Sequence, residues 1–274
     1  MSYFSAVISG LIQGLTEFLP VSSSGHLSIF HGITGEADFT FDVLLHLATL
    51  AAVFIVYRRD ISSLVRAFFT LSQRILLRKV KTEKLTADER VLVSVMLATL
   101  PMALAVFISD RAEAMFSDVR TVGAMLILNA AVLLMSDRVR RRYTRTADRL
   151  TSARSLCIGC FQLCAVVPGL SRSGMTVTGG LCMGLDRESA VRMSFIMSIP
   201  VIICANLSEV LDIVASPVHL TAAEALPYLV GVLCAFVSGL LSMKLLTFIA
   251  REKNSFRIFS LYCAVVGLLA VIFG

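Results

Sequence analysis

The sequence predicts an all-α polytopic membrane protein, in which about six transmembrane helices and two re-entrant helical hairpins form an inverted-topology repeat. Of the 274 residues, 57% are hydrophobic and 16% are charged, whereas an ordinary soluble domain has roughly 25% charged residues. The mean hydropathy is +0.83. This composition leaves too few polar residues to cover a water-soluble fold, and it also excludes disordered chains, collagen-like chains and small disulfide-rich scaffolds.

Six apolar runs approach or exceed the length of about 20 residues that an α-helix needs to cross a bilayer. These runs cover residues 41–57, 91–109, 121–136, 193–214, 226–249 and 256–273. Two further apolar stretches, residues 3–33 and 155–185, are each interrupted by a proline, several glycines and a cluster of hydroxyl residues. Irregular backbone at membrane depth is tolerated only where it is buried in protein or lines a cavity, so we expect each stretch to form a re-entrant hairpin.

The basic residues predict the orientation of the spans, because cytoplasmic segments of membrane proteins carry an excess of lysine and arginine. Segments 58–90 and 138–154 are dense in these residues and should be cytoplasmic, as should the short basic segment 251–257. Segments 110–120 and 209–224 are nearly neutral or acidic and should face outside. The net charge of +6 therefore reflects membrane topology, and the expected partner is a lipid bilayer and not a nucleic acid.

The two interrupted stretches are related by an internal repeat at an offset of 149 residues. Segment 10–25 aligns without a gap on segment 159–174. The identical positions are Gly10, Gln13, Ser22, Ser24 and Gly25, which fall on Gly159, Gln162, Ser171, Ser173 and Gly174. Together with the charge pattern, this repeat predicts one membrane domain, residues 1–274, whose halves of roughly 1–140 and 150–274 have inverted orientations.

Seven cysteines, an odd number, lie mostly within apolar stretches. Cys157 and Cys160 form a Cys-x-x-Cys pair, but no second pair accompanies them, so a metal or redox site is not predicted there. We expect the cysteines to behave as small buried hydrophobic residues.

Each interrupted stretch carries polar residues whose types suit phosphate. In the first, Gln13 and Glu17 share one helical face, and a serine-rich turn ending at His26 follows Pro20. In the second, Arg172 lies in a turn of the same kind. If each turn opens a helix, its free N–H groups and the helix dipole attract an anion, and an arginine fork matches phosphate oxygens. The hydroxyl residues of the two turns are Ser22, Ser23, Ser24, Ser171, Ser173 and Thr176.

Each of these residues also has a purely structural interpretation. Serines and glycines in membrane helices often only allow close packing. Glu17 could be a structural acid, either hydrogen-bonded to a neighbour or paired with Arg172, and His26 could cap a helix. The joint occurrence of these residues in two repeat-related turns favours a phosphate-handling centre near the membrane midplane.

Asp42 and His46 stand four residues apart near the outer end of the first span. They could share a proton with the site, support it from behind, or only form a local hydrogen bond, and these alternatives stay open. Gln162, the repeat partner of Gln13, is assigned a supporting role with it. His31 and His219 are expected to be surface or interface residues.

At these residues the sequence resembles the undecaprenyl-diphosphatase family, integral membrane enzymes linked to bacitracin resistance. The family's first motif has Glu or Gln, three residues, Glu, a serine-rich turn and Gly-His, and it matches residues 13–26. Its second, Pro-Gly-x-Ser-Arg-Ser-Gly-x-Thr, matches residues 168–176. Segment 41–47 is similar to a further family segment, so the resemblance covers nearly the whole chain.

The resemblance implies hydrolysis of undecaprenyl diphosphate to the monophosphate plus inorganic phosphate, which recycles the lipid carrier for peptidoglycan synthesis. It implies a bacterial inner-membrane location, a site that opens toward the outer face, and a divalent cation, Mg²⁺ or Ca²⁺, held by Glu17. Ser23 or water would attack the terminal phosphorus while His26 transfers the proton, with Ser22 and His26 as alternative nucleophiles. The residues assigned to the diphosphate are Ser22, Ser24, Ser171, Arg172, Ser173 and Thr176.

The main competing function is transport, because inverted repeats with broken helices at the midplane are typical of secondary transporters. A flippase for polyprenyl phosphate would use the same residues, but it would depend mainly on Arg172 and the two turns. Hydrolysis additionally requires Glu17 and His26 in chemical roles. A third class, a structural membrane component, is disfavoured because polar groups in membrane helices are costly. A homodimer is left open.

Overall fold

The chain folds into a bundle of helices, which a computed structural model describes for residues 1–77, 84–108, 112, 115, 118–138, 145–215, 222–252 and 255–274. The helices are α1 Tyr3–Phe18, α2 Ser23–Thr34, α3 Phe39–Val56, α4 Arg58–Leu76, α5 Ala87–Thr99, α6 Val119–Arg138, α7 Ser152–Cys164, α8 Arg172–Cys182, α9 Arg187–Ala215, α10 Ala222–Ile249 and α11 Phe256–Phe273. The chain is an all-α membrane protein, with strands absent from the described residues.

Six helical segments are long and apolar enough to cross a membrane within the described ranges, which confirms the predicted number. They are Phe39–Val56, Ala87–Phe107, Val119–Arg138, Arg187–Leu207, Ala225–Ile249 and Phe256–Phe273. The second of them changes from α5 into a 3₁₀ helix at Leu100–Phe107. Pro101 lies at that change, and it supplies no backbone N–H for an α-helical hydrogen bond.

Segment 58–90, which the sequence analysis treats as a connection, contains α4. One face of this helix is apolar and exposed, with Val65, Phe68 and Phe69 turned away from the protein. On the other face, Arg74 Nη1 donates to the buried Glu89 Oε2 of α5 at 2.5 Å. An amphipathic helix of this kind suits the membrane–water interface. The sequence analysis missed α4 because it treated the arginines of this segment only as determinants of membrane topology.

Parts of the predicted topology lie outside the described residues, namely 78–83, 109–111, 113–114, 116–117, 139–144, 216–221 and 253–254. His219 is among them. The orientation of the spans, the inverted relation of the two halves and the re-entrant course of the two interrupted stretches stay predictions.

Helices from the two halves of the chain pack against each other. α1 packs along α10, α7 packs against α5, and α6 packs along α11. Glycines allow this close approach: a Cβ at Gly14 would overlap the Ala235 carbonyl oxygen of α10, and one at Gly123 would lie 2.7 Å from the Gly267 carbonyl oxygen of α11. The halves are therefore interleaved, and each interrupted stretch is held by the opposite half.

Substituting Gly14 with alanine is expected to destabilise the protein by about 1–3 kcal/mol, because a side chain in the α1–α10 seam must push two backbones apart. Gly239→Ala is the matched control in the same seam. Its new Cβ would come no closer than 3.3 Å to another atom, at the edge of the Phe18 ring, and would touch no backbone. Thermal unfolding in detergent should show a clear drop for Gly14→Ala and a smaller change for Gly239→Ala, and equal melting temperatures would contradict the assignment.

The largest apolar cluster lies between the helices, where Phe18 and Phe195 meet edge to face at 5.5 Å. Many aliphatic and aromatic side chains point outward instead, such as Phe248 and Leu261. The expectation that the cysteines are buried was largely wrong. Cys263 is buried, but Cys157 and Cys160 are exposed and all seven cysteines are free. The outer surface of a membrane helix faces lipid, so an apolar run there does not imply burial in protein.

Candidate functional site

The two hydroxyl-rich turns each open a helix. Ser22 is the N-cap of α2, where its Oγ accepts the Gly25 N–H at 3.2 Å. Ser171 is the N-cap of α8, where its Oγ accepts the Gly174 N–H at 3.1 Å. Ser22 adopts a positive φ of 73°, which is uncommon outside glycine and typical of functional turns.

The two turns lie almost in contact. A Cβ placed on Gly25 would be 3.2 Å from the Cα of Gly169. Gly169 itself has φ +92°, and a Cβ there would come within 2.6 Å of the Val122 carbonyl oxygen of α6. Only glycine combines that backbone conformation with such a close approach. The second turn can therefore lie directly on α6 and beside the first turn.

Glu17 links the two turns. Arg172 Nη2 donates to Glu17 Oε1 at 2.5 Å, which joins the end of α1 to the start of α8. The other carboxylate oxygen accepts Ser23 Oγ at 2.6 Å and Gln13 Nε2 at 3.1 Å. Glu17 is only 7% exposed, and a buried carboxylate needs this degree of compensation. The carboxylate is thus fixed in position by one cation and two neutral donors.

Arg172 keeps one part of its guanidinium group available. Nη2 is bound to Glu17, but Nη1 is buried and has no hydrogen-bond partner among the described residues. A buried N–H group without an acceptor is costly. An anion bound between the two helix N-termini would supply that acceptor, and phosphate oxygens match the geometry of the arginine fork.

Asn129 of α6 holds the two turns in register. Its Nδ2 donates to the Pro20 carbonyl oxygen at 3.0 Å, and its Oδ1 accepts the Ser171 N–H at 3.2 Å. Asn129 is fully buried. The sequence analysis missed this residue, although an amide in the middle of an apolar span is costly enough to have marked it as a candidate.

The remaining hydroxyl groups bond mainly to one another and to the backbone. Ser22 Oγ lies 3.3 Å from Ser24 Oγ, and Ser171 Oγ lies 3.1 Å from Ser173 Oγ. Ser173 Oγ also donates to the Leu19 carbonyl oxygen at 3.0 Å, which adds a second direct tie between the turns. The Thr176 hydroxyl faces α9, where Ser194 Oγ is 2.6 Å away.

His26 is held at both ring nitrogens. Its Nδ1 lies 2.7 Å from the Ser22 carbonyl oxygen, and its Nε2 lies 2.8 Å from the hydroxyl of Tyr262 in α11. The sequence analysis gave Tyr262 no role. The two residues are 236 positions apart, so only the folded chain brings them together.

Asp42 and His46 lie near the site and do not bond to each other through their side chains. His46 Nδ1 is 2.8 Å from the main-chain oxygen of Asp42, so the local hydrogen bond is present. His46 is also close enough to Glu17 for an electrostatic interaction. The Asp42 carboxylate instead faces His31 at 3.8 Å, so His31 is not an isolated surface residue.

Gln162, the repeat partner of Gln13, is fully buried, and neither atom of its amide group has a partner among the described residues. The structure does not connect it to Glu17. The two glutamines therefore occupy equivalent sequence positions but have different surroundings.

A divalent cation would find two hard oxygen donors here. The described part of the chain has no cluster of three or more His, Cys, Asp or Glu residues that would form a complete metal site. However, Glu17 supplies a carboxylate, and the Oε1 of Gln13 is buried with no hydrogen-bond partner in the described part of the chain. Mg²⁺ is commonly held by one or two protein oxygens plus phosphate oxygens and water. The residues fit a cation whose coordination is completed by substrate and water.

The chain is similar to known proteins along nearly its whole length. Residues 6–269 match the family model described as bacitracin resistance protein BacA. A protein of Methanobrevibacter smithii named undecaprenyl-diphosphatase is 38% identical over 98% of this chain and 96% of its own length. Proteins with the same name from Bacteroides fragilis (strain YCH46), at 34% identity over 99% and 98%, and from Thermosipho africanus, at 35% over 98% and 99%, are similar along their whole lengths.

Proposed function

This chain belongs to the family of bacitracin resistance protein BacA, and we propose that it hydrolyses undecaprenyl diphosphate to undecaprenyl phosphate and inorganic phosphate. The observation that carries this proposal is the buried Glu17–Arg172 pair between two serine-capped helix N-termini. That arrangement combines an anion site with a fixed carboxylate. The product is the lipid carrier that cell-wall synthesis reuses, which accords with the family's link to bacitracin.

The diphosphate would lie between the N-termini of α2 and α8. The backbone N–H groups at these two helix N-termini and Nη1 of Arg172 would bind the oxygens of the diphosphate. These donors would stabilise the negative charge that builds up as the bond to phosphorus breaks. The hydroxyl groups of Ser22, Ser24, Ser171 and Ser173, which bond to one another in pairs, would line this space. Thr176 would act on the diphosphate indirectly, by stabilising the start of α8. Its hydroxyl donates a hydrogen bond to the Arg172 carbonyl oxygen at 2.9 Å.

Ser23 is the best-placed nucleophile among the described side chains. Its Oγ already donates to Glu17 Oε2 at 2.6 Å, so the carboxylate is aligned to accept the hydroxyl proton as the oxygen attacks phosphorus. Attack by water, oriented by the same carboxylate, is the alternative, and Ser22 and His26 are further alternatives. His26 would carry a proton between the site and its surroundings.

The cofactor in this proposal is Mg²⁺ or Ca²⁺, with Glu17 and the free Oε1 of Gln13 as its protein ligands. When bound, the ion supplies positive charge that offsets the charge on the phosphate oxygens. His46 would support Glu17 from the side of α3 through electrostatic interaction, and Asp42 would act through His46, with which it interacts in turn.

Localisation in the bacterial inner membrane, with the site open to the outer face, completes the proposal. The lipid tail requires no polar pocket, because it can lie against the exposed apolar surfaces of the spans. A homodimer stays a prediction, and the mass of the purified protein in detergent would test it.

Phosphate release from undecaprenyl diphosphate by the purified protein in detergent tests the function. We expect release with Mg²⁺ or Ca²⁺, loss of release with EDTA, and recovery when the ion is restored. Undecaprenyl phosphate is the control substrate and should yield no phosphate. If well-folded protein released no phosphate under any of these conditions, the enzyme would be excluded, and transport of polyprenyl phosphate through the two interleaved halves would become the leading function.

A further inference from the structure

Tyr262 contacts the candidate site from a helix that carries neither family motif. It lies on α11, and its hydroxyl is 2.8 Å from His26 Nε2. The two rings are almost parallel, with 3° between their planes and 5.5 Å between their centroids. Tyr262 as a whole residue is 44% exposed, so it is not simply part of the packed core.

The hydrogen bonds of His26 assign its tautomer. Its Nδ1 faces the Ser22 carbonyl oxygen at 2.7 Å, and a carbonyl oxygen can only accept, so Nδ1 carries the proton. In the neutral imidazole Nε2 then has only a lone pair. The Tyr262 hydroxyl therefore donates to Nε2. The same Ser22 carbonyl oxygen also accepts the main-chain N–H of His26 at 3.2 Å, so the first turn of α2 sets this tautomer.

This arrangement occupies the only basic position of His26. A neutral imidazole has one lone pair, and the Tyr262 hydroxyl already fills it. A proton released at the reacting phosphate can then reach Nε2 without rearrangement only through the Tyr262 oxygen. A hydroxyl group suits that task because it donates one proton and accepts another at the same atom.

We propose that Tyr262 is the proton relay between the reacting centre and His26, an inference that rests on the proposed phosphatase function. As the attacking hydroxyl or water bonds to phosphorus, its proton passes to Glu17. Glu17 then releases that proton to Tyr262 Oη, and in the same step the phenolic proton passes to His26 Nε2, so that the Glu17 carboxylate is ionised again. Tyr262 is neutral before and after, His26 becomes imidazolium, and its extra proton returns by the reverse path when the product leaves. No oxidant or further reactant is needed.

Tyr262→Phe tests the relay because it removes the hydroxyl and keeps the ring stacked on His26. We expect kcat to fall about 10²-fold with KM nearly unchanged, since general acid–base groups typically contribute 10²–10⁴-fold. Tyr57→Phe is the matched control. It removes another phenolic hydroxyl, which bonds to Thr247 at the opposite end of α3 from Asp42 and His46, and it should leave kcat unchanged.

The wild-type protein gives a second readout that does not depend on the folding of a variant. If two protons move in one step, kcat should depend on the deuterium content of the solvent along a curve. In Tyr262→Phe, which lacks the relaying hydroxyl, the same plot should be linear. A linear dependence in wild type would overturn the relay, as would full kcat in a folded Tyr262→Phe. Absence of phosphate release from wild type would instead overturn the phosphatase itself, so the two failures are distinguishable.

Discussion

Arg172→Lys is expected to lower phosphate release by about 10²–10³-fold although it keeps the positive charge, which is the cost of removing one preorganised donor from a site of developing charge. Arg172 uses Nη2 to hold Glu17 and leaves the buried Nη1 without a partner among the described residues. A lysine has one nitrogen on a flexible stem, so it cannot hold the carboxylate and a phosphate oxygen in the same fixed geometry.

Rates of phosphate release under saturating lipid, measured together with thermal unfolding, would test this expectation. Arg251→Lys is the matched control, since Arg251 is 62% exposed and only 3.8 Å from Glu188 at the surface. Exposed pairs of this kind contribute little. If Arg172→Lys retained more than half of the wild-type rate, the second guanidinium nitrogen would have no part in binding the substrate.

Asn129→Leu is expected to abolish most of the activity and to destabilise the fold. The change leaves the Ser171 N–H without its acceptor and leaves the Pro20 carbonyl oxygen with a long contact to Cys263 Sγ at 3.9 Å, and an unsatisfied buried group costs about 1–3 kcal/mol. It also removes the two hydrogen bonds that tie the turns to α6, so we expect the helix N-termini that flank the diphosphate to lose their register. A misplacement of about 1 Å at a reacting centre can cost about 10² in rate.

Asn206→Leu provides the control for this change. Asn206 is also a buried asparagine in a membrane span, but its Nδ2 donates to the Ile202 carbonyl oxygen of its own helix and ties no turn. Thermal unfolding should separate the two variants. Activity per folded molecule should fall for Asn129→Leu alone, and equal losses in both variants would mean that Asn129 is only one more buried amide.

The spans and the two turns were predictable because their information is local. An apolar run of the right length specifies a span wherever its neighbours lie, as residues 256–273 show by coinciding with α11. Each turn has a proline, then serines, then a glycine within a few residues. This local pattern predicts a serine N-cap in the same way. The resemblance to a known family identified the motif residues as site candidates, and it did so without knowledge of any contact between distant parts of the chain.

Asn129 and Tyr262 could not be identified in that manner. Their partners lie 109 and 236 residues away in sequence, and neither forms part of a motif. The amphipathic helix α4 was missed for a different reason. Its arginines fit the topology rule, and that rule carries no information on the helical period of the apolar face between them, which includes Phe68 and Phe69.

The ties between the two turns bear on how the molecule can move. Separating them breaks the Glu17–Arg172 pair, the Ser173–Leu19 hydrogen bond and the two bonds of Asn129 together. Hydrolysis leaves all of these in place, whereas a carrier that exposes its cargo alternately on two sides must break and remake them in every cycle. We therefore expect hydrolysis to proceed while the two turns stay joined, with the lipid entering and leaving between the helices around them.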